Sequence, residues 1–198
     1  AVLADKGFFP VSELDSFCKQ TGILGGHPER HKIPGVEAST GSLGHGLPIG
    51  IGMALSARID KADYRVFVVG SDGESQEGSV WEAALAAAKH KLDRLTVLID
   101  YNKQQSYGTV EEVLPVEPFA DKWRSFGFAV AEVNGHDVAG LRDILKRCPF
   151  EAGKPTCIIC HTIKGKGIKV CEENLSWHHK TKVSDEEMAA LVAGVENY

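Results

Sequence analysis

The chain has 198 residues, a net charge of −5 and 43% hydrophobic content. That length suits one domain with a full core. The mildly acidic balance gives no footing for nucleic acid or an anionic lipid surface, since the only basic cluster of interest is Lys164-Gly-Lys166. No apolar run reaches membrane-spanning length and no signal-like amino terminus is present. Five cysteines, an odd number, read as free thiols of a reducing compartment. The expectation is a cytoplasmic protein that binds neither nucleic acid nor membrane.

The first residues, AVLADKGFFPVSELDSF, start at full helical pace with no cap before Ala1. Pro10, Glu13 and the Ser12/Asp15 region point to a second helix. A start without a cap is expected of a chain whose upstream segment is missing. Residues 22–46 are rich in Gly, Pro and His and too long for a simple connection, so a functional loop is expected there. A helix follows over 44–59, carrying the small residues Gly50, Gly52, Ala54 and Ala57, which permit close approach to a neighbour or ligand. Short Val/Ile-rich runs at 65–70, 95–100, 129–133 and 156–161 read as parallel strands buried on both faces. Helical patterns alternate with them at 80–91, 118–126, 138–147 and 185–196, the first with Trp81, Leu85 and Ala88 on one face and the last amphipathic. Alternating strands and helices give a doubly wound, mostly parallel α/β sheet flanked by helices, with 1–198 as a single domain. Cys157 and Cys160 have zinc-like spacing, but they lie three apart in an apolar strand and no second pair completes a set. They are read as buried structural thiols.

Two motifs close on strand ends. Ser71-Asp72-Gly73-Glu74 ends one run and Asp100-Tyr101-Asn102 the next, with Asp72 and Asn102 30 residues apart. Alone, each is an ordinary turn, where Asp caps a helix and Gly permits the bend. If the two strands are adjacent and parallel, Asp72 and Asn102 meet at the carboxyl edge of the sheet, where α/β folds bind ligands. A carboxylate, an amide oxygen and a nearby backbone carbonyl form half a shell for a magnesium-type ion, which a phosphate can complete. A second glycine cluster, Gly41-Ser42-Leu43-Gly44-His45-Gly46, lets backbone N–H groups approach a ligand, or serves only as a helix entry. Neither GxGxxG nor a P-loop is present, which disfavours a Rossmann or Walker site. His27 and His178 lie in loop-like stretches, whereas His90, His136 and His161 show no metal-like spacing.

Together these motifs resemble the diphosphate-binding domain of transketolase, a thiamine-diphosphate enzyme. The resemblance runs from about Val2 to Trp177-His178. Its hallmark is the Asp72-Gly73 turn followed by Asn102. More specific are Asp72-Gly-Glu-Ser-Gln-Glu-Gly78, Val80-Trp-Glu-Ala83 and Lys91-Leu-Asp-Arg-Leu95. Gly26-His27-Pro28, Pro34-Gly-Val-Glu37, Thr40-Gly-Ser-Leu-Gly44, Lys164-Gly-Lys-Gly167 and Ser176-Trp-His178 agree with it. One departure is Ser71, which stands where the family usually has Gly and adds a hydroxymethyl where backbone and phosphate approach.

The resemblance implies roles. Asp72 and Asn102 would ligate Mg2+ (Ca2+ or Mn2+ also suit such oxygens) by side chain, and Gln104 by its backbone carbonyl. Gly73 would donate its N–H to the diphosphate. Gly41 and Leu43 would meet the cofactor through backbone groups, and Lys164 would lie near it or near the substrate entrance. His27 and His178 would bind sugar hydroxyls or move protons, and Glu77 would belong to an acidic network at the interface between protomers. The implied reaction transfers a two-carbon ketol unit from a ketose phosphate to an aldose phosphate, with the cofactor as electron sink.

The family's pyrimidine-binding domain and amino-terminal portion have no counterpart in this sequence. A split, two-component enzyme is therefore expected, a heterotetramer with two copies of each chain. Its partner would carry the pyrimidine-binding and carboxy-terminal domains. Two alternatives stand beside it: another thiamine-diphosphate enzyme, such as deoxyxylulose-phosphate synthase or a transketolase for unusual sugars, and a non-catalytic regulatory subunit with a degenerate site.

Overall fold

The computed structural model describes residues 1–196; Asn197 and Tyr198 lie outside the described residues. The chain divides into two compact units, Ala1–His45 and Gly46–Tyr198. The first unit contains a short helix α1 (Val2–Asp5) and a 3-10 helix at Val11–Ser16, where the sequence pattern predicts a second helix. Its small core gathers Ala4, Phe9 and Ile33, with Leu3, Leu14, Ile23, Leu24 and Val36 packed against them. The remainder, through the Gly- and His-rich stretch, is turns and irregular chain.

The second unit holds α2 (Gly46–Ile59), β1 (Val66–Ser71), α3 (Gly78–Lys89), β2 (Leu95–Tyr101), the two-residue strands β3 (Gln104–Gln105) and β4 (Gly108–Thr109), α4 (Val110–Val113), α5 (Phe119–Ser125), β5 (Ala129–Asn134), α6 (Val138–Lys146), β6 (Thr156–His161) and α7 (Asp185–Glu196). Four strands form one sheet in the order β1-β2-β6-β5, and every pairing in it is parallel. The predicted α/β architecture is thus the observed one, with strand limits within a residue or so of those read from the Val/Ile runs.

Both faces of the central strands β2 and β6 are covered, which is why they read as continuous apolar runs, whereas the edge strand β1 leaves Phe67 and Val69 exposed, contrary to the expectation for it. One core packs Leu47, Ile51 and Ala54 of α2, Val80, Ala83, Ala84 and Ala87 of α3, and Phe119 and Trp123 of α5 against Val97, Ile99, Cys157 and Ile159. The other packs Ile144 of α6 with Cys148, Ile158 and Cys160. Cys157 and Cys160 therefore sit in different cores, as expected for strand positions three apart. Gly50 sets the closeness of α2 to β1: a Cβ there would lie 2.4 Å from Val68 Cγ2. The predicted stripe on α3 needs correction. Trp81 stacks on Trp123 and Phe126 at centroid distances of 5.1 and 5.0 Å, but Leu85 is 59% exposed. The buried face is the alanine face, because only small side chains let α3 lie close to its neighbours. The carboxy-terminal helix α7 also buries no residue, although its limits match the predicted ones. Among the described residues no helix is long and apolar enough to cross a membrane.

Candidate functional site

The parallel register of β1 and β2 pairs Ser71 with Asp100, so the two strands end together. Beyond them Asp72 is 1% exposed. Its Oδ1 accepts the N–H of Gly73 at 2.8 Å, and its Oδ2 accepts the N–H of Lys103 at 2.6 Å. Lys103 holds a left-handed φ of +64°, which few side chains adopt, and the bend turns its N–H onto the carboxylate. Asn102 Oδ1 accepts the N–H of Gln104 at 3.0 Å. Asp72 and the Asn102–Gln104 turn are thus one hydrogen-bonded unit. Burial raises the Asp72 pKa above the ordinary carboxylate value of 3.8, against the pull of the Lys103 and Gly73 N–H groups, and Asp100 adds repulsion. A buried carboxylate with that penalty has much to gain from a cation.

Ser71 turns its hydroxyl into its own turn, where Oγ accepts the Glu74 N–H at 3.1 Å, while the Ser71 carbonyl accepts from Ser75 Oγ at 2.8 Å. It closes the local turn that leads into the 3-10 turn Glu74–Gln76. Gly73 has an ordinary helical φ of −62°. A Cβ there would meet nothing closer than Gln105 Cβ at 3.5 Å, so neither backbone nor packing in this chain requires glycine. Glu77 is exposed at the N-cap of α3 and makes no side-chain cap bond.

The stretch after β6 returns to the same edge. Gln104 Nε2 donates to the Glu173 carbonyl at 3.0 Å, and the Glu173 N–H donates to the Lys164 carbonyl at 3.0 Å. Ser106, in the β3–β4 turn, lies 3.3 Å from His178 Nε2 and 3.1 Å from His179 Nε2. Burial, then the Lys164 and His179 charges, lower the His178 pKa below the ordinary imidazole value, which favours the neutral ring. Two buried polar atoms here lack a partner, Gln104 Oε1 and His178 Nδ1. The structure therefore gathers Asp72, Gly73, Asn102, Gln104, Lys164 and His178. Sequence reasoning missed Lys103, Ser106 and His179. Lys103 acts through its main chain, which leaves no mark in residue type. The adjacent pair His178-His179 was the available signal for His179, and Ser106 left none.

His27, Gly41 and Leu43 belong to the first unit. His27 is exposed, and its ring lies against Gly41, where a Cβ would stand 2.9 Å from Cγ. Gly41 also holds φ +145°, so glycine is needed there on both counts. Leu43 is 55% exposed, and its carbonyl pairs with His45 Nδ1 at 2.9 Å.

The donor set near Asp72 is carboxylate, amide and main-chain oxygen, which suits hard divalent ions such as Mg2+ or Ca2+. Among the described residues no three His, Cys, Asp or Glu side chains converge. The unpartnered Gln104 Oε1 is an acceptor and would meet a donor or a cation, while the space beside Gly73 leaves room for a group such as a diphosphate.

A model of the transketolase thiamine-diphosphate-binding domain matches residues 3–195. The chain belongs to this family. It is 41% identical over 189 residues to an apulose-4-phosphate transketolase subunit from Phocaeicola vulgatus, spanning 96% of this chain and 67% of that one. It is 38% identical over 196 residues to the 6-deoxy-6-sulfo-D-fructose transketolase subunit SqwG of a Clostridium species, 99% and 71% of the two chains. The crystal structure of Campylobacter jejuni transketolase superposes with a TM-score of 0.79 at 30% identity, covering 84% of this chain and 27% of that one.

Proposed function

We propose that this chain is the thiamine-diphosphate-binding subunit of a two-component, cytoplasmic transketolase. The observation that carries the reading is the hydrogen-bonded unit of Asp72 with the Asn102–Gln104 turn, in a chain whose relatives are named as subunits of transketolases. Asp72 and Asn102 side-chain oxygens and the Gln104 carbonyl would hold Mg2+, and the ion would fasten the diphosphate to the strand ends. Gly73 would present its N–H to the phosphate. Gly41 and Leu43 would meet the cofactor through their backbone. When bound, thiamine diphosphate supplies the electron sink for breaking the carbon–carbon bond beside a ketose carbonyl.

The chain's own residues would do the rest. Lys164 would attract the phosphate-bearing ligand. His178, half-buried with its neutral form favoured, would take a proton from a donor hydroxyl and return one to the acceptor oxygen. His27 would bind sugar hydroxyls, and Glu77 would face the partner. The partner would bring the pyrimidine-binding domain, two of each chain forming the assembly. The relatives named for apulose 4-phosphate and 6-deoxy-6-sulfo-fructose favour a second form of the reading, in which the ketose is a less common sugar.

Isothermal calorimetry with thiamine diphosphate and Mg2+, on this chain mixed with its partner, tests the proposal. Saturable, Mg2+-dependent binding is expected. Absence of binding at millimolar cofactor would sink it in favour of a regulatory role.

A further inference from the structure

Ser106 places one hydroxyl between two imidazoles, 3.3 Å from His178 Nε2 and 3.1 Å from His179 Nε2. A serine hydroxyl has a single proton to give. With both rings neutral, one Nε2 accepts that proton while the other donates its N–H to Oγ. The two histidines are then obliged to hold opposite tautomers. The environment is as asymmetric as the bonding. His178 is half-buried with its Nδ1 enclosed and unpartnered, whereas His179 is exposed. His179 also sits at φ +56°, a backbone bend that brings its ring to the serine with the two ring centroids 4.4 Å apart. Lys180, the next cation along, is held by Glu187 at 2.6 Å.

We propose that His178, Ser106 and His179 form a proton relay from the enclosed Nδ1 of His178 to solvent. A proton taken up at His178 Nδ1 lets the His178 Nε2–H bond break towards Ser106 Oγ. The original Ser106 O–H proton passes to His179 Nε2, and His179 releases its Nδ1 proton to water. Serine is regenerated, one proton leaves the site, and the reverse sequence brings one in. The depressed basicity of His178 is in keeping with this, because a ring that does not retain a proton hands it on. Ser106 and His179 are positioning residues, and His178 is the group that meets the ligand. The use of the relay rests on the transketolase reading: cleaving a ketose removes a hydroxyl proton, and adding the fragment to an aldehyde returns one.

The test begins with the cofactor-free chain, carrying 15N-labelled imidazoles, at about pH 8, where unperturbed histidines are neutral. Long-range 1H–15N spectra are expected to show His178 and His179 as opposite tautomers. In Ser106→Ala both should move to one common tautomer, and Ser106→Thr should restore the opposition. Identical tautomers in the wild type, or shifts that Ser106→Ala leaves unmoved, overturn the pairing. With the partner chain and loaded cofactor, Ser106→Ala should lower kcat by about tenfold or more while cofactor affinity holds. An unchanged kcat overturns the relay. Failure of the wild type to bind cofactor would instead remove the transketolase reading, and the spectra would still decide the pairing.

Discussion

Two regions of the second unit meet at the carboxyl edge of the sheet, and they are built in opposite ways. The Asp72 turn hangs from the ends of paired strands, and both of its carboxylate oxygens are held by main-chain N–H groups. Residues 164–180 contain only a 3-10 turn at Leu175–Trp177, and their contacts to the site run through side chains such as Gln104, Ser106 and His178. The first arrangement suits an ion, which needs oxygens fixed before it arrives. The second suits proton movement, which needs rings with a free atom. Charge is held by backbone on strand ends, and reactivity by side chains on a loop.

Asp72→Ala tests the rigid half and should have the largest effect. Mg2+-dependent cofactor affinity is expected to fall by at least about 100-fold, since the ion bridges protein and diphosphate. Calorimetry with and without Mg2+ reads this, and unchanged affinity removes the metal assignment. His178→Ala tests the loop half. Turnover of the assembled enzyme should drop about 100-fold with cofactor affinity retained, the scale of a lost acid–base group. Wild-type turnover would take His178 out of the chemistry.

Gly73→Ala separates ligand from scaffold. Its Cβ would make only ordinary contact, so denaturant stability should stay within about 0.5 kcal/mol. Cofactor affinity should fall about tenfold if phosphate approaches that backbone. Equal affinity would place the phosphate elsewhere. Smallest is Tyr101→Phe, behind the site, where the Tyr101 hydroxyl and the Phe119 N–H both donate to Glu117. These bonds hold the Glu117 pKa below its usual 4.5, the tyrosine being the larger cause. A depressed carboxylate stabilises the fold above the unfolded value and loses that contribution as pH falls through the folded value. The loss in Tyr101→Phe should be about 1 kcal/mol at neutral pH, discounted for exposure, and shrink below about pH 4.5. Urea titrations at the two pH values check it, and a pH-independent loss would mean packing alone.

Most of the sheet was legible in the chain because strands covered on both faces must be apolar throughout, as in LTVLIDY and TCIICH, although the equally apolar edge strand VFVVGS leaves Phe67 and Val69 exposed. The spacing of Asp72 and Asn102 was legible because consecutive parallel strands place their ends together. Leu85 was misread, since helical periodicity shows that a face exists but not which face a neighbour takes. Ser106 was invisible for another reason. Its link to His178 joins positions 72 apart, and nothing local distinguishes it from any turn serine.

The sequence by itself determined the strand–helix alternation, the acid–glycine turn and the asparagine that answers it, because each follows from local periodicity or from one strand's length. Only the tertiary structure decided that Lys103 bends its N–H onto Asp72 and that Ser106 lies between two histidines. Those contacts depend on the path the chain takes after the parallel strands end, where only the two-residue β3–β4 pairing and side-chain packing dictate it.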